Sequence, residues 1–468
     1  MIIIDRSRLE AAMECPRKYY WHYLHGGSGI ERKSVSVPLL TGSLIHSPLA
    51  AVLLRYRQGL DLELQHIVDD AKQEYVKVVS DRGLLLDYFD GSDAQLGQVE
   101  SSPIAWQVNE QIALLEALVK GWVRVRLPRL LEEYEIIDVE QEQAITLGRD
   151  IVMLTRRDAL LRRRQTGEYF VLNFKTTSNP DQTWREQWRY DQQTISEFVA
   201  ADASVRDKVG SAAGGGRSAH LDSAVKALDG GTPSVIASPS AMPTELAGGQ
   251  GSDHVVRGVL IEGLVKGQRK LKWPEDVEPA QWRHNSPLLY HYATAANPPM
   301  PRSYYADAYR TCTEPHPWRW VKGGHCPGGK KHKIGDEYQR DMVSQTCGID
   351  SWLDWLSEND QQTLEAQFIA LPAIIRSDYE IERWKRQTIG QANDLDGRRA
   401  ELEIEQDGGE ATLDNCFPMA TGGGNCLRPS RCPFLDLCFG VADPDDREAF
   451  VARVPNHPAE TKLVTIKV

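Results

Sequence analysis

An α/β fold with a mixed central sheet flanked by helices is what this sequence predicts, and three observations carry the prediction. From Tyr134 the apolar pattern leaves helical spacing for β-branched or alternating runs, YEIIDVEQEQAITL, DIVMLTRRDALLRR and EYFVLNFKTT, separated by turns carrying Gly148 and Gly167. A helical segment, WREQWRYDQQTISEFVAADA, follows these strands, and VVRGVLIEGLVKG reads as a fourth strand. Cysteines lie at opposite ends of the chain: Cys15 stands alone, and Cys426, Cys432 and Cys438 share the run CLRPSRCPFLDLC. Two five-residue gaps put three soft thiolates in one loop with room for a fourth ligand, as in a metal or iron–sulfur site. Packed free cysteines are the plain alternative.

With 468 residues the chain has length for two or three units of about 150 residues, or for one core with large insertions, and 41% hydrophobic residues suffice for a core. The net charge of −12, from 66 acidic and 54 basic side chains, argues against indiscriminate coating of nucleic acid and leaves room for a local basic groove. Eight cysteines are too dilute for a disulfide scaffold. No apolar run approaches the roughly 20 residues a spanning helix needs, and MIIIDRSRL lacks a signal-peptide core. The expectation is a cytoplasmic protein, away from membrane, whose thiolates stay free for metal.

In chain order, residues 1–130 read as a helical N-terminal part. Ser7-Arg8-Leu9-Glu10 has the form of a capping box for a helix carrying Cys15, Pro16 bends it, and Gly42-Ser43 opens a second helix with Leu44, Ile45, Leu49, Val52 and Leu53 as its buried stripe and His46 in its first turns. A long helical region follows, broken at Asp87 to Ser102. Residues 131–203 and 254–300 form the core sheet. Between them, 204–253 is Gly-, Ala- and Ser-rich and reads as a flexible insertion. Residues 301–347 are an aromatic and basic insertion. Residues 348–468 give C-terminal helices, with a break at Leu371-Pro372, and the cysteine loop.

The chemical centre is the strand pair around Asp158 and Lys175. A strand ending in Asp, then a strand bearing an oxygen ligand, one spacer and Lys, lets a sheet hold two metal-ligating oxygens beside an ammonium; alternation puts positions 173 and 175 on one face. Arg156, Arg157, Arg162, Arg163 and Arg164 either solvate the hairpin or position a phosphate backbone. Lys266 marks a basic strand end suited to DNA. Trp318, Arg319 and Trp320, with Lys322, Lys330, Lys331 and Lys333, suit stacking of bases and contact with phosphates, or else pack against the body. Cys312, His316, His325, Cys326, His332 and Cys347 admit a small zinc site, though their spacing matches no finger pattern, and Cys416 is a spare beside the cluster cysteines.

The order Cys15, TGSLIH with His46, RRDALL with Asp158, VLNFKTT with Lys175, a Gln-bearing helix and CLRPSRCPFLDLC resembles the RecB-type iron–sulfur branch of the PD-(D/E)XK nuclease superfamily, which includes CRISPR-associated and phage exonucleases. The resemblance covers Ser7 to Ser47, Glu135 to Ala200, Gly258 to Lys266 and Asn415 to Phe439. It implies a restriction-endonuclease-like core with a C-terminal iron–sulfur loop, and a Mg²⁺- or Mn²⁺-dependent DNA exonuclease acting in DNA processing, recombination or repair. His46, Asp158 and position 173 would hold the divalent ion, Lys175 would be the catalytic lysine, and Gln192 or Gln193 would approach the site or the DNA. Cys15, Cys426, Cys432 and Cys438 would ligate a 4Fe-4S cluster. The implied partners are DNA, single-stranded or with free ends, and a helicase, recombination or CRISPR protein.

Two departures stand out. The aromatic residue expected four positions after the glutamine is absent, and position 173 is Asn where the family has Asp or Glu. An amide carbonyl can ligate a metal but lacks the charge that holds Mg²⁺ firmly. Three explanations follow for Asn173: a naturally weakened site, an engineered inactivation, or rescue by Glu140 or Glu142 from the neighbouring strand. The competing functions are a catalytically silent nuclease-fold module that binds DNA or protein, and a zinc-dependent structural protein.

Overall fold

A computed structural model describes residues 2–33, 37–82, 103–148, 150–213, 255–267, 269–270, 283–284, 349–404, 410–420, 426–427 and 431–455. It opens with a strand the sequence reading did not anticipate, β1 (Ile2–Asp5). Because β1 delivers Asp5 in extended conformation to the start of α1 (Arg6–Glu14), Asp5 takes the N-cap expected of Ser7 and accepts the Arg8 N–H at 2.9 Å. Helix α2 (Pro16–Tyr19) has proline at its first position, and β2 (Ile30–Arg32) follows.

Helix α3 (Val37–Leu44) starts before the predicted Gly42-Ser43 and is followed after Ile45 by α4 (His46–Arg57). Gly42 thus sits inside α3, where a Cβ would stand 2.9 Å from Thr176 Oγ1, so the glycine allows a close approach to the sheet. The stretch Leu39–Arg57 is long and apolar enough to cross a membrane by length and composition, contrary to expectation. Its apolar character is explained by a core stripe, since Ile45, Leu49, Val52 and Leu53 are wholly buried against neighbouring helices and the sheet. Helices α5 (Leu64–Asp81), α6 (Pro103–Val125) and α7 (Leu127–Glu133) complete this layer.

The predicted meander is present as β3 (Tyr134–Thr146), β4 (Ile151–Arg163) and β5 (Tyr169–Thr177), each antiparallel to the next. The predicted single helix after it is two, α8 (Gln182–Gln187) and α9 (Gln192–Ala213). Strand β6 (Val256–Val265) then lies parallel to β5, and β7 (Arg269–Lys270) pairs with β8 (Arg283–His284). The C-terminal stretch read as helical contains α10 (Ile349–Asn359), α11 (Gln361–Glu365), the unanticipated edge strand β9 (Phe368–Ala370), α12 (Asp378–Ile404), α13 (Glu410–Cys416), α14 (Leu435–Cys438) and β10 (Phe450–Ala452).

The main sheet is six-stranded, in the order β1-β4-β5-β6-β9 with β3 also on β4. Strand β3 runs along one edge of β4, while β1 pairs in parallel with residues 151–154 and β5 antiparallel with residues 159–162. Strands β1 and β5 therefore share the other edge end to end and leave residues 155–158 unpaired there. Away from the main sheet, β2 and β10 form an antiparallel ladder, Ile30 opposite Ala452.

Alternation along β5 sorts the layers. Phe170, Leu172 and Phe174 pack with α4, α5 and α6, around Leu49, Tyr75 and Trp122. Val171, together with Leu160 of β4 and Ile261 of β6, packs with Phe198, Ala201 and Val205 of α9. Helix α9 runs on to Ala213, into the segment 204–253 read as a flexible insertion; Val205 is 3% exposed and continues the face begun by Phe198. The rest of that segment, residues 214–253, and the insertion 301–347 with Trp318, Arg319, Trp320 and the zinc candidates lie outside the described residues.

The helix layer meets the sheet edge closely at Gly121 of α6, where a Cβ would stand 2.4 Å from the ring of buried Phe368 in β9. Overpacking of this kind costs about 1–3 kcal/mol, against about 1 kcal/mol gained by alanine in a helix. Gly121→Ala should therefore lower the urea midpoint with an unchanged slope; a raised midpoint would show that the ring moves aside freely.

Candidate active site

The unpaired stretch of β4 ends at Asp158, which is 9% exposed. Opposite it, β5 has diverged from β4, and the Asp158 carboxylate fills the break: Oδ2 accepts the Phe174 N–H at 2.7 Å, where a ladder carbonyl would otherwise serve. Oδ1 accepts from His46 Nδ1 at 2.8 Å, so the first residue of α4 meets the strand across the core. Burial works against the carboxylate charge, but the His46 imidazolium, the Lys175 ammonium and the Phe174 N–H outweigh it and hold Asp158 below its ordinary pKa. The same pairing outweighs the burial of His46 and raises the imidazole above 6.5.

Lys175 lies two residues beyond Asn173 on the same face of β5, as alternation requires. Its ammonium stands 5.1 Å over the Trp188 ring and donates to Gln193 Oε1 at 2.5 Å. Gln193 is fixed by the chain break before α9, where Asp191 Oδ1 accepts both the Gln193 and Thr194 N–H groups. Its oxygen also accepts from Arg6, and its amide donates to Glu197 Oε1 at 2.6 Å. Of the two candidate glutamines, only Gln193 reaches Lys175; the Gln192 side chain turns to Met13 Sδ, because adjacent helical positions point about 100° apart.

Asn173 is wholly buried, and neither its Oδ1 nor its Nδ2 completes a hydrogen bond. Beside it is a residue the sequence reading missed, Glu197 of α9, 1% exposed, with Oε2 also lacking a hydrogen bond. Burial pushes the Glu197 carboxyl up to about 7, with Asp158 adding, against Lys175, Gln193 and the nearby Asn173 amide. Glu197 stands where the aromatic residue was expected. Its signal was one turn of helix, since Gln193 and Glu197 at i, i+4 share a face. Buried polar atoms without close partners cost about 1–3 kcal/mol each, so Asn173 and Glu197 gain from any polar group that reaches them.

Glu140 also faces this site. It has φ of 51°, the left-handed region that non-glycine residues enter at a cost of about 1–3 kcal/mol. Burial and the Asp158 charge raise its pKa, against Arg156 and His46. Arg156 holds it at 3.3 Å.

Two basic residues expected to meet DNA are placed otherwise. Arg157 is 2% exposed, and its guanidinium is consumed by Asp138, at 2.7 Å and 3.1 Å, and by Gln143; strand alternation sends it inward where Arg156 points out. Lys266 is 8% exposed at the end of β6, its amine drawn below its ordinary pKa by burial. Arg156 remains exposed.

In chelator, the His46–Asp158 pair makes stability depend on pH. The raised His46 value means that its contribution is complete below 6.5 and lost as pH rises through the folded value, and raised Glu197 acts in the same direction about pH 7. Asp158, depressed below 3.8, keeps its contribution until the pH falls below that value. The thermal midpoint in EDTA should fall between pH 6 and 8, less steeply in His46→Asn; equal slopes for the two proteins would contradict the pairing.

At the other end of the fold, Cys15 joins α1 to α2, and its Sγ accepts the Ala420 N–H at 3.4 Å. The Cys432 N–H donates to the Cys426 carbonyl at 2.8 Å. Cys432 is raised mainly by burial, with the charges of Cys15 and Cys426 adding; burial pushes Cys438 up to about 11, with Cys432 and Cys15 adding. The thiols thus lie within electrostatic reach of one another, and Cys432 and Cys438 pack against Trp21, Phe434 and Phe450. They are not drawn into a ligand set: among the described residues no group of three or more His, Cys, Asp or Glu side chains is arranged to hold a metal ion. Cys416 is buried in a separate cluster with Phe417 and Trp384.

Comparison with known proteins gives one family. Residues 6–232 match the model of the PD-(D/E)XK nuclease superfamily, a stretch that contains His46, Asp158, Asn173, Lys175, Gln193 and Glu197. The match spans just under half of the chain and agrees with the mixed sheet between helix layers; it does not distinguish the iron–sulfur branch. No curated protein matches the chain.

Proposed function

We propose that the chain is a metal-dependent deoxyribonuclease that hydrolyses phosphodiester bonds from free or single-stranded ends during DNA processing, recombination or repair. The observation that carries this reading is convergence: His46, Asp158, Lys175 and Gln193, from a helix, two strands and a second helix, meet at the break in the β4 edge. By chemistry the donors suit a hard divalent cation, with carboxylate and amide oxygens, one imidazole and unsatisfied buried atoms at Asn173 and Glu197, and an ion would have to draw them together, since they do not stand as a ligand group in this structure. His46, Asp158 and Asn173 would hold Mg²⁺ or Mn²⁺. A bound ion supplies Lewis acidity toward the phosphate and a hydroxide-like nucleophile at neutral pH.

The chain's own groups do the rest. Phe174 N–H fixes the Asp158 carboxylate, so one of its oxygens cannot swing away. Gln193 holds the Lys175 ammonium at the site, where a fixed positive charge stabilises the extra negative charge that develops on phosphate. Exposed Arg156, two residues from Asp158, suits the DNA backbone.

Cys15, Cys426, Cys432 and Cys438 would bind a 4Fe-4S cluster. Four cysteine thiolates are the donor set such clusters take, and Cys432 and Cys438, whose thiols are raised by burial, would lose that penalty when a metal takes the thiolate. Its role would be structural, tying the chain around Cys15 to the C-terminal loop.

Anaerobically purified protein should carry iron and acid-labile sulfide and should degrade end-labelled single-stranded DNA with Mg²⁺ or Mn²⁺ but not with EDTA. Zinc in place of iron would sink the cluster. DNA binding without cleavage, by both the native chain and Asn173→Asp, would leave a silent binding module.

A further inference from the structure

We infer that Glu197 supplies the carboxylate that position 173 lacks, so that the divalent ion is held between Asp158 of β4 and Glu197 of α9; this deepens the nuclease reading and rests on it. Strand β5 offers at position 173 an amide, wholly buried, with both polar atoms unpartnered. An amide in that place has no charge to balance a dication. The compensating charge lies beside it, across the sheet–helix interface. Glu197 is 1% exposed, on the face of α9 that packs on β4 and β6, and its Oε2 is free of hydrogen bonds.

The way Glu197 is held separates it from an ordinary buried acid. Gln193 grips its Oε1 at 2.6 Å and with its own carbonyl takes the Lys175 ammonium at 2.5 Å, so one amide sets both the carboxylate and the lysine. A carboxylate fixed through one oxygen, whose other oxygen has no more than a weak contact with the Asn173 amide, can take up an ion without breaking a strong bond. Its charge is also felt together with those of Asp158 and Lys175. Glu140, the alternative source of a carboxylate, is partly exposed and paired with Arg156. The negative charge of the site has thus been moved from strand to helix while Asn173 contributes at most a neutral oxygen.

Mn²⁺ titration calorimetry on the full anaerobically purified chain tests this without relying on cleavage. Relative to the native chain, Glu197→Gln should bind at least about tenfold more weakly, and Asn173→Asp/Glu197→Gln, which returns a carboxylate to the strand, should recover the native affinity. Loss in Glu197→Gln without recovery in the double variant would overturn the exchange of roles, as would unchanged affinity in Glu197→Gln beside its loss in Asp158→Asn. In that last case the nuclease reading stands and the assignment of Glu197 falls. A native chain that takes up no Mn²⁺ at millimolar concentration would overturn both.

Discussion

Asp158→Asn should lower DNA cleavage by about 10³-fold, abolish Mn²⁺ binding and leave the fold intact. The fold survives because an asparagine can reproduce both contacts of the carboxylate: its carbonyl accepts the Phe174 N–H, and its amide donates to a neutral His46 ring. What it cannot reproduce is the charge. The strand register, the His46 position and the Lys175–Gln193 bond all stay, so the variant removes one negative charge from an otherwise complete site. A thermal midpoint in EDTA within a few degrees of the native value, together with the loss of cleavage, is the expected pair of results. Native-like cleavage by Asp158→Asn would place the metal elsewhere.

The largest expected effect on stability lies behind the site. Glu262 of β6 is buried, with a side chain 4% exposed, and its two oxygens take Arg126 at 2.7 Å and 2.9 Å and the Trp122 indole at 3.2 Å. Phe174 is its register partner on β5, so this acid sits next to the strand segment that carries Asn173 and Lys175. Arg126→Met leaves a buried carboxylate with only an indole N–H to meet it, at a cost of about 3–5 kcal/mol. Most of that loss should be recovered in Arg126→Met/Glu262→Leu, because a well-packed apolar pair avoids the desolvation penalty of both charges. Urea unfolding of the two variants checks this; a single variant within 1 kcal/mol of native would mean that water reaches Glu262.

Much of the sheet was legible because its strands are long. Thirteen residues of alternating or β-branched sequence in β3 and β4, and nine in β5, leave little room for another period. Strands β1 and β9, of four and three residues, were missed: Ile2–Asp5 and Phe368–Ala370 become strands only because β4 and β6 offer open edges. The pairing of His46 with Asp158 was named in advance through resemblance rather than spacing, since nothing local in TGSLIH points to a strand 112 positions away. Arg157 was misjudged as part of a surface run of charge, although residues 156 and 157 of one strand must face opposite ways. Glu197 went unnoticed because a glutamate in a helix is usually solvated; here the face that packs on the sheet includes it.

Strand β2 pairs with β10, Ile30 opposite Ala452, and the Arg17 side chain reaches the Phe417 carbonyl at 2.7 Å. A ribosome would therefore have to deliver the chain as far as Ala452 before these early segments find their partners. Contacts of such sequence separation are slow to form, and until then β2 and the Trp21 face wait unpaired, exposed to aggregation and to chaperones. Recombinant yield should accordingly depend on elongation speed and temperature more than on the stability of the finished molecule.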